Sequence, residues 1–103
     1  MQSALIISTY PNKNSITKIA NELVKHKIVA CVNIIKISSV YSWHEKIENP
    51  SEYLALFKTT QKNKKHLKEK IKSTHPYDVP EIIEIDITSI NKSYLKWLVE
   101  STT

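Results

Sequence analysis

The sequence predicts an α+β sandwich: a four-stranded antiparallel sheet with two helices on one face, followed by an extra C-terminal helix. Three observations carry this. Strand-like and helix-like patterns alternate in the order strand, helix, strand, strand, helix, strand, helix. The chain has 103 residues, enough for one domain, residues 1–103, with a core of moderate size. Finally, the first three strands carry apolar residues on both faces, more than two helices can cover.

Ala4 to Thr9 is a short apolar run and reads as the first strand. Pro11 to Ser15 is a turn in which Asn14 or Ser15 caps a helix. Ile16, Ile19, Ala20, Leu23 and Val24 then follow the spacing of one helical face, so the helix is expected from about Ser15 to Lys27. Ile28 to Ile35 is the second strand. The chain stays extended from Val40 to Ile47, turns at Glu48-Asn49-Pro50-Ser51 and returns along Tyr53 to Lys58. A turn there sets Tyr41 opposite Lys58, Trp43 opposite Leu56 and Glu45 close to Leu54. The resulting hairpin is long enough for its tip to project from the domain.

A second helix is expected from Gln61 to Ser73, with Leu67 and Ile71 as a thin buried stripe. Pro76 and Pro80 stop it and stiffen the connection His75-Pro76-Tyr77-Asp78-Val79-Pro80-Glu81. Ile83, Ile85 and Ile87 alternate with Glu84 and Asp86, the mark of a half-exposed strand. Asn91 or Ser93 opens the last helix, carrying Tyr94, Leu95, Trp97 and Leu98, and Val99 to Thr103 is expected to fray. The element order is the split βαβ of the ferredoxin-like βαββαβ sandwich.

Two helices cover one face of such a sheet. Leu5 and Ile7 oppose Ile6, Val29 and Cys31 oppose Ala30 and Val32, and Leu54 and Leu56 oppose Tyr53 and Phe57. A single chain would leave a large apolar patch in water, so the second face is expected to be buried against further copies.

Composition excludes several classes. No apolar run reaches the roughly 18 residues that span a membrane. Met1 to Thr9 lacks the pattern of a signal peptide, and the single cysteine, Cys31, forbids an internal disulfide, so a reducing cytoplasmic setting is expected. The net charge is +5 and every basic residue is lysine, seven of them between Lys58 and Lys72. Lysine lacks the planar fork that reads phosphates and base edges, so a solvated helix face is favoured over a nucleic-acid surface. Glycine is absent, which removes any glycine-rich phosphate loop. No nucleophile, base and orienting group occur at suggestive spacing, so no catalytic residues are assigned.

Among single residues, His75 is the foremost metal-ligand candidate, because a neutral imidazole is a good donor for copper, zinc or nickel. Its alternative role is a hydrogen bond at the helix end. Cys31 is either a soft ligand or a small apolar residue of the strand. Tyr41, Trp43 and Tyr77 line a cleft between subunits or supply interface burial. Lys58 and Glu81 either join Tyr41 and Tyr77 in an intersubunit polar pocket or pair with each other.

Five motifs occur together: Ala30-Cys31-Val32-Asn33-Ile34; Tyr41-x-Trp43 before Lys46-Ile47-Glu48; Phe57-Lys58-Thr59-Thr60; His75-Pro76-Tyr77-Asp78-Val79-Pro80-Glu81-Ile82; and Tyr94-Leu95-Lys96-Trp97-Leu98. Through them essentially the whole chain resembles the CutA family of divalent-cation tolerance proteins. The resemblance implies a ferredoxin-like subunit, an interlocked homotrimer, a cytoplasmic location, a link to copper and other divalent metals, and no enzymatic reaction. It also implies metal-site roles for His75 and Cys31. Some relatives add a cysteine on the first strand and a histidine before His-Pro-Tyr, where this chain has Ser8 and Thr74. Glu45 stands where a glycine is common, so the bend after Trp43 must be made differently, and His44 replaces a frequent acidic residue. Other readings are a small-molecule-sensing trimer resembling the nitrogen-regulatory PII proteins and a trimeric scaffold for protein partners.

Overall fold

The computed structural model describes residues 2–103. Its elements are β1 (Ser3–Tyr10), α1 (Lys13–Lys25), β2 (Cys31–Ser38), β3 (Tyr41–Trp43), β4 (Lys46–Glu48), β5 (Ser51–Thr60), α2 (Lys64–Thr74), β6 (Ile83–Ile85) and α3 (Lys92–Ser101). The main sheet is antiparallel, in the order β2-β5-β1-β6. This is the expected α+β sandwich.

Strand alternation divides the sheet into two faces. Ile6 and Tyr10 of β1 and Ala55 and Phe57 of β5 point toward α1 and α2, meeting Ile16, Ile19, Leu23, Leu67 and Ile71 in the core. Asn12 caps α1 by accepting a hydrogen bond from Ser15 N at 2.8 Å, so the helix begins two residues earlier than the pattern suggests. It also ends earlier, at Lys25, because Lys27 takes a left-handed φ of 60° that breaks the helix. Leu67 and Ile71, the thin stripe of α2, are both fully buried.

The opposite face carries Leu5, Ile7, Leu54 and Leu56 in the centre, with Ile35, Ile83 and Ile85 toward the edges. α3 covers only the end of this face near Lys58, whose Nζ lies 5.6 Å from the centre of the Tyr94 ring. Leu98 is buried there, while Ile35, Ile83 and Ile85 remain 47%, 45% and 42% exposed. The end of α3 is held rather than frayed. Thr102 Oγ1 donates to Leu98 O at 3.0 Å, Thr103 Oγ1 donates to Val99 O at 2.6 Å, and Lys27 Nζ donates to Thr103 O at 3.3 Å.

The hairpin differs from the sequence expectation in register. Cys31 faces Lys58, Asn33 faces Leu56, Ile35 faces Leu54 and Ser38 faces Ser51. The same register continues beyond a break, with Tyr41 facing Glu48 and Trp43 facing Lys46. The reversal therefore lies at His44-Glu45, not at Glu48-Asn49-Pro50-Ser51, and Tyr41 does not face Lys58. Pro50 marks the break instead of the turn. Its carbonyl accepts from Ser39 N at 3.0 Å, but it has no N–H to complete the ladder. β3 and β4 thus form a separate two-stranded ribbon at the end of an elongated molecule measuring 45 × 26 × 21 Å.

His44 and Glu45 have φ of 50° and 66°. Two left-handed residues in succession make the tight turn that matches strand twist, a geometry that favours Asn-Gly or Gly-Gly. Without glycine the chain holds two ordinary residues there, at roughly 1–2 kcal/mol each. Glu45→Gly should therefore raise the thermal midpoint or leave it unchanged, since relief of strain at φ 66° offsets the entropy glycine adds to the unfolded chain. A clear fall in the midpoint would contradict this account of the turn.

On the helix side of β6, Glu84 accepts from Lys64 Nζ and Lys68 Nζ, each at 2.8 Å. Those lysines repel one another at i, i+4, and Lys64 meets the positive end of the α2 dipole, so Glu84 offsets two unfavourable charges. The hydrogen bonds from Lys64 and Lys68 hold its carboxyl at about 2, below the ordinary 4.5. A depressed carboxylate stabilises the fold fully above its unfolded pKa and progressively less as pH falls toward its folded one. Glu84→Gln should lower the melting midpoint by a few degrees at pH 7 and flatten its acid dependence between about 4.5 and 2. An unchanged acid limb would show that the pair is too solvent-screened to matter.

Candidate functional site

The connection after α2 folds back over the end of β1, because Pro76 prevents the helix from continuing past Thr74. His75 takes extended backbone, with φ −71° and ψ 138°, and its ring enters a half-buried niche. There it stacks on Tyr10, ring centres 4.2 Å apart at 25°. Its Nε2 lies 2.8 Å from the Thr9 carbonyl and 3.2 Å from Ser8 Oγ. A carbonyl only accepts, so Nε2 carries the proton and Nδ1 is free to accept from Tyr77 N at 3.1 Å. Both ring nitrogens are thus engaged. Burial moves the His75 pKa downward, and the bond to Thr9 and the charge of Glu52 oppose that shift without cancelling it.

Tyr77 extends the cluster. Its hydroxyl donates to Glu52 Oε2 at 2.7 Å. Burial, then this bond, then the charge of Glu52 and the proximity of Tyr41 raise the phenol pKa, so Tyr77 stays neutral. Glu52 is only 5% exposed and forms no salt bridge among the described residues. Beneath the imidazole lies the buried Tyr10 ring, whose hydroxyl pKa burial pushes up to about 12 against the opposing influence of Ser8.

The other sequence candidates lie elsewhere. Cys31 starts β2 opposite Lys58, at the far end of the sheet from Ser8 and on the other face, its Sγ 3.8 Å from Asn33 Oδ1. Three residues along the strands and two strands across place it more than about 10 Å from His75. Lys58 sits under Tyr94, six residues along β5 from Glu52. Trp43 is on the ribbon, its ring edge-on to His44 at 4.8 Å. Glu81 is half-buried before β6 and makes no ion pair among the described residues. One chain therefore joins Tyr77 with His75 and brings Tyr41 near, while Lys58, Trp43 and Cys31 stay apart.

Sequence reasoning missed Glu52. A turn at Glu48–Ser51 leaves it as an ordinary residue of the hairpin bend, whereas the true register makes it the strand partner of Ile37. The donor set of a single chain does not fit a tight copper or zinc centre. His75 offers no free nitrogen, Ser8 and Thr9 present a hydroxyl and a carbonyl, and no group of three or more His, Cys, Asp or Glu gathers among the described residues.

Residues 4–101 match the CutA1 divalent ion tolerance protein family. The divalent-cation tolerance protein CutA of Pyrococcus horikoshii is 42% identical over 98 residues, 95% of this chain and 96% of that one. The chloroplastic protein CutA of Arabidopsis thaliana is 43% identical over 101 residues, 97% of this chain but 56% of that longer protein. The crystal structure of CutA1 from Ehrlichia chaffeensis superposes with a TM-score of 0.95 at 37% identity, covering 99% of this chain and 96% of that one. P. horikoshii CutA, crystallised in the presence of 3 M guanidine hydrochloride, gives 0.94 at 41% identity, covering 97% and 99%. The chain belongs to the CutA1 divalent ion tolerance family.

Proposed function

We propose that the protein is a cytoplasmic, non-enzymatic homotrimer that serves divalent-cation tolerance, with copper or another divalent metal contacted weakly through His75 and no role for a resident metal cofactor. Family membership supports the tolerance role. The observation that carries the assembled state is the sheet face left bare by α3, together with the ribbon at the hairpin end. Val40 and Ile47 there are 73% and 68% exposed, and Tyr41 and Trp43 are exposed beside them. Exposed apolar surface of this kind marks association, and α3 covers only one end of the outer face of the two-sided strands. The free thiol of Cys31 fits a reducing compartment, and no helix among the described residues is long and apolar enough to cross a membrane.

Metal contact at His75 requires a ring nitrogen to leave its hydrogen bond, most simply Nδ1 from Tyr77 N. That exchange lowers affinity, and the Ser8 hydroxyl contributes far less to a copper ion than a thiolate would. Titrating copper into the reduced protein should give a saturable, micromolar-or-weaker signal near one site per chain. His75→Ala should abolish it and Cys31→Ser leave it unchanged. A tight site, or a signal indifferent to His75, would contradict the assignment.

The scaffold reading is the second one with a specific observation behind it: the same apolar ribbon is a surface for another protein. It predicts that the assembled wild type retains a partner protein from native lysate that a monomeric interface variant does not. The sensing reading has no such support, since the hairpin ends in a two-residue turn at His44-Glu45 rather than a long loop.

A further inference from the structure

Glu52 is a carboxylate in the wrong surroundings. It is 5% exposed, its carboxylate accepts from the Tyr77 hydroxyl, and no lysine or histidine nitrogen lies within 4 Å among the described residues. Burying a carboxylate without a cation is costly, and folded proteins pair such groups. The neighbourhood makes the deficit worse. The connection beside it adds Asp78 and Glu81, and no lysine occurs between Lys72 and Lys92. The hairpin contributes Glu48 and Glu45 and, between Lys36 and Lys58, a single cation, Lys46.

Lys46 cannot serve its own chain. It pairs with Trp43 beside the tip, whereas Glu52 pairs with Ile37, six residues down the same hairpin. That separation is roughly 20 Å. Lys46 does ride on the projecting ribbon, where Val40, Tyr41, Trp43 and Ile47 are all exposed. Wherever a second copy buries that ribbon, Lys46 is buried with it and needs an anion. The two deficits are complementary: an excess buried carboxylate at the hairpin base and a cation on an unpartnered arm.

We infer that Lys46 of a second copy completes the site at Glu52, so that the Glu52–Tyr77–His75 cluster is closed by a charge delivered across the subunit boundary. This rests on the assembly proposed above and assigns it a polar anchor. It also ties the niche around His75 to the assembled state, because Tyr77 bonds both Glu52, through its hydroxyl, and His75, through its backbone N–H.

A double-mutant cycle on the whole protein tests this. Within one chain, residues about 20 Å apart are energetically independent, and Lys46→Met is silent because Lys46 is exposed there. In the assembly, Lys46→Met and Glu52→Gln should each lower the unfolding midpoint in urea, which leaves ion pairs unscreened, with the double variant losing no more than the worse single. Glu52→Gln is isosteric and keeps an acceptor for Tyr77, so folding is preserved. If the wild type is associated but the two losses simply add, or Lys46→Met is silent, the inference fails while the assembly stands. A monomeric wild type overturns both.

Discussion

One continuous register, from Cys31 against Lys58 to Trp43 against Lys46, decides where nearly every group of interest lies. Because side chains alternate along a strand, the register assigns Leu54, Leu56 and Lys58 to the outer face and Ala55 and Phe57 to the core. It carries the hairpin past the body of the domain, sends Trp43 and Lys46 to its end and leaves Glu52 at its base against Tyr77. A slip of one residue would drive Phe57 into solvent and Lys58 into the core. Pro50 interrupts hydrogen bonding without shifting the register, which separates a sheet-bound hairpin base from a projecting ribbon.

Much of the fold was legible because its signals are periodic. The α1 stripe of Ile16, Ile19 and Leu23 and the β6 alternation of Ile83 and Ile85 survive directly into the structure. The two-sided character of Leu5–Ile7 and Leu54–Phe57 foretold a bare face, and the structure exposes Ile35, Ile83 and Ile85 on it. The turn was misplaced because Asn49-Pro50 is a strong local turn signal, while His44-Glu45 is a poor one. Local chemistry lost to the pairing of two long apolar strands, which pulled non-glycine residues into left-handed backbone.

The site was legible only in part. His75 and Tyr77 stand together as the proline-flanked motif suggests, and Ser8 touches His75 at 3.2 Å, so the first-strand position does belong to that niche. Cys31 does not. Strand parity puts it on the other face, a fact available once β2 and β5 are paired but hidden while the register is wrong. Glu52 was invisible for the same reason. The niche is therefore better described by hydrogen bonds among protein groups than by an open coordination site. Burial moves the imidazole pKa down and the phenol pKa up, and the Tyr77 hydroxyl donates to Glu52.

These features share one premise, that a sheet apolar on both faces and an arm with no cover are halves of an interface. The most direct test is the mass of the purified wild-type protein by sedimentation at micromolar concentration. The account predicts a species of three times the 11.9 kDa chain that persists on dilution. A single species at 11.9 kDa would mean that the bare face and the arm remain in water, and would contradict the account at its base.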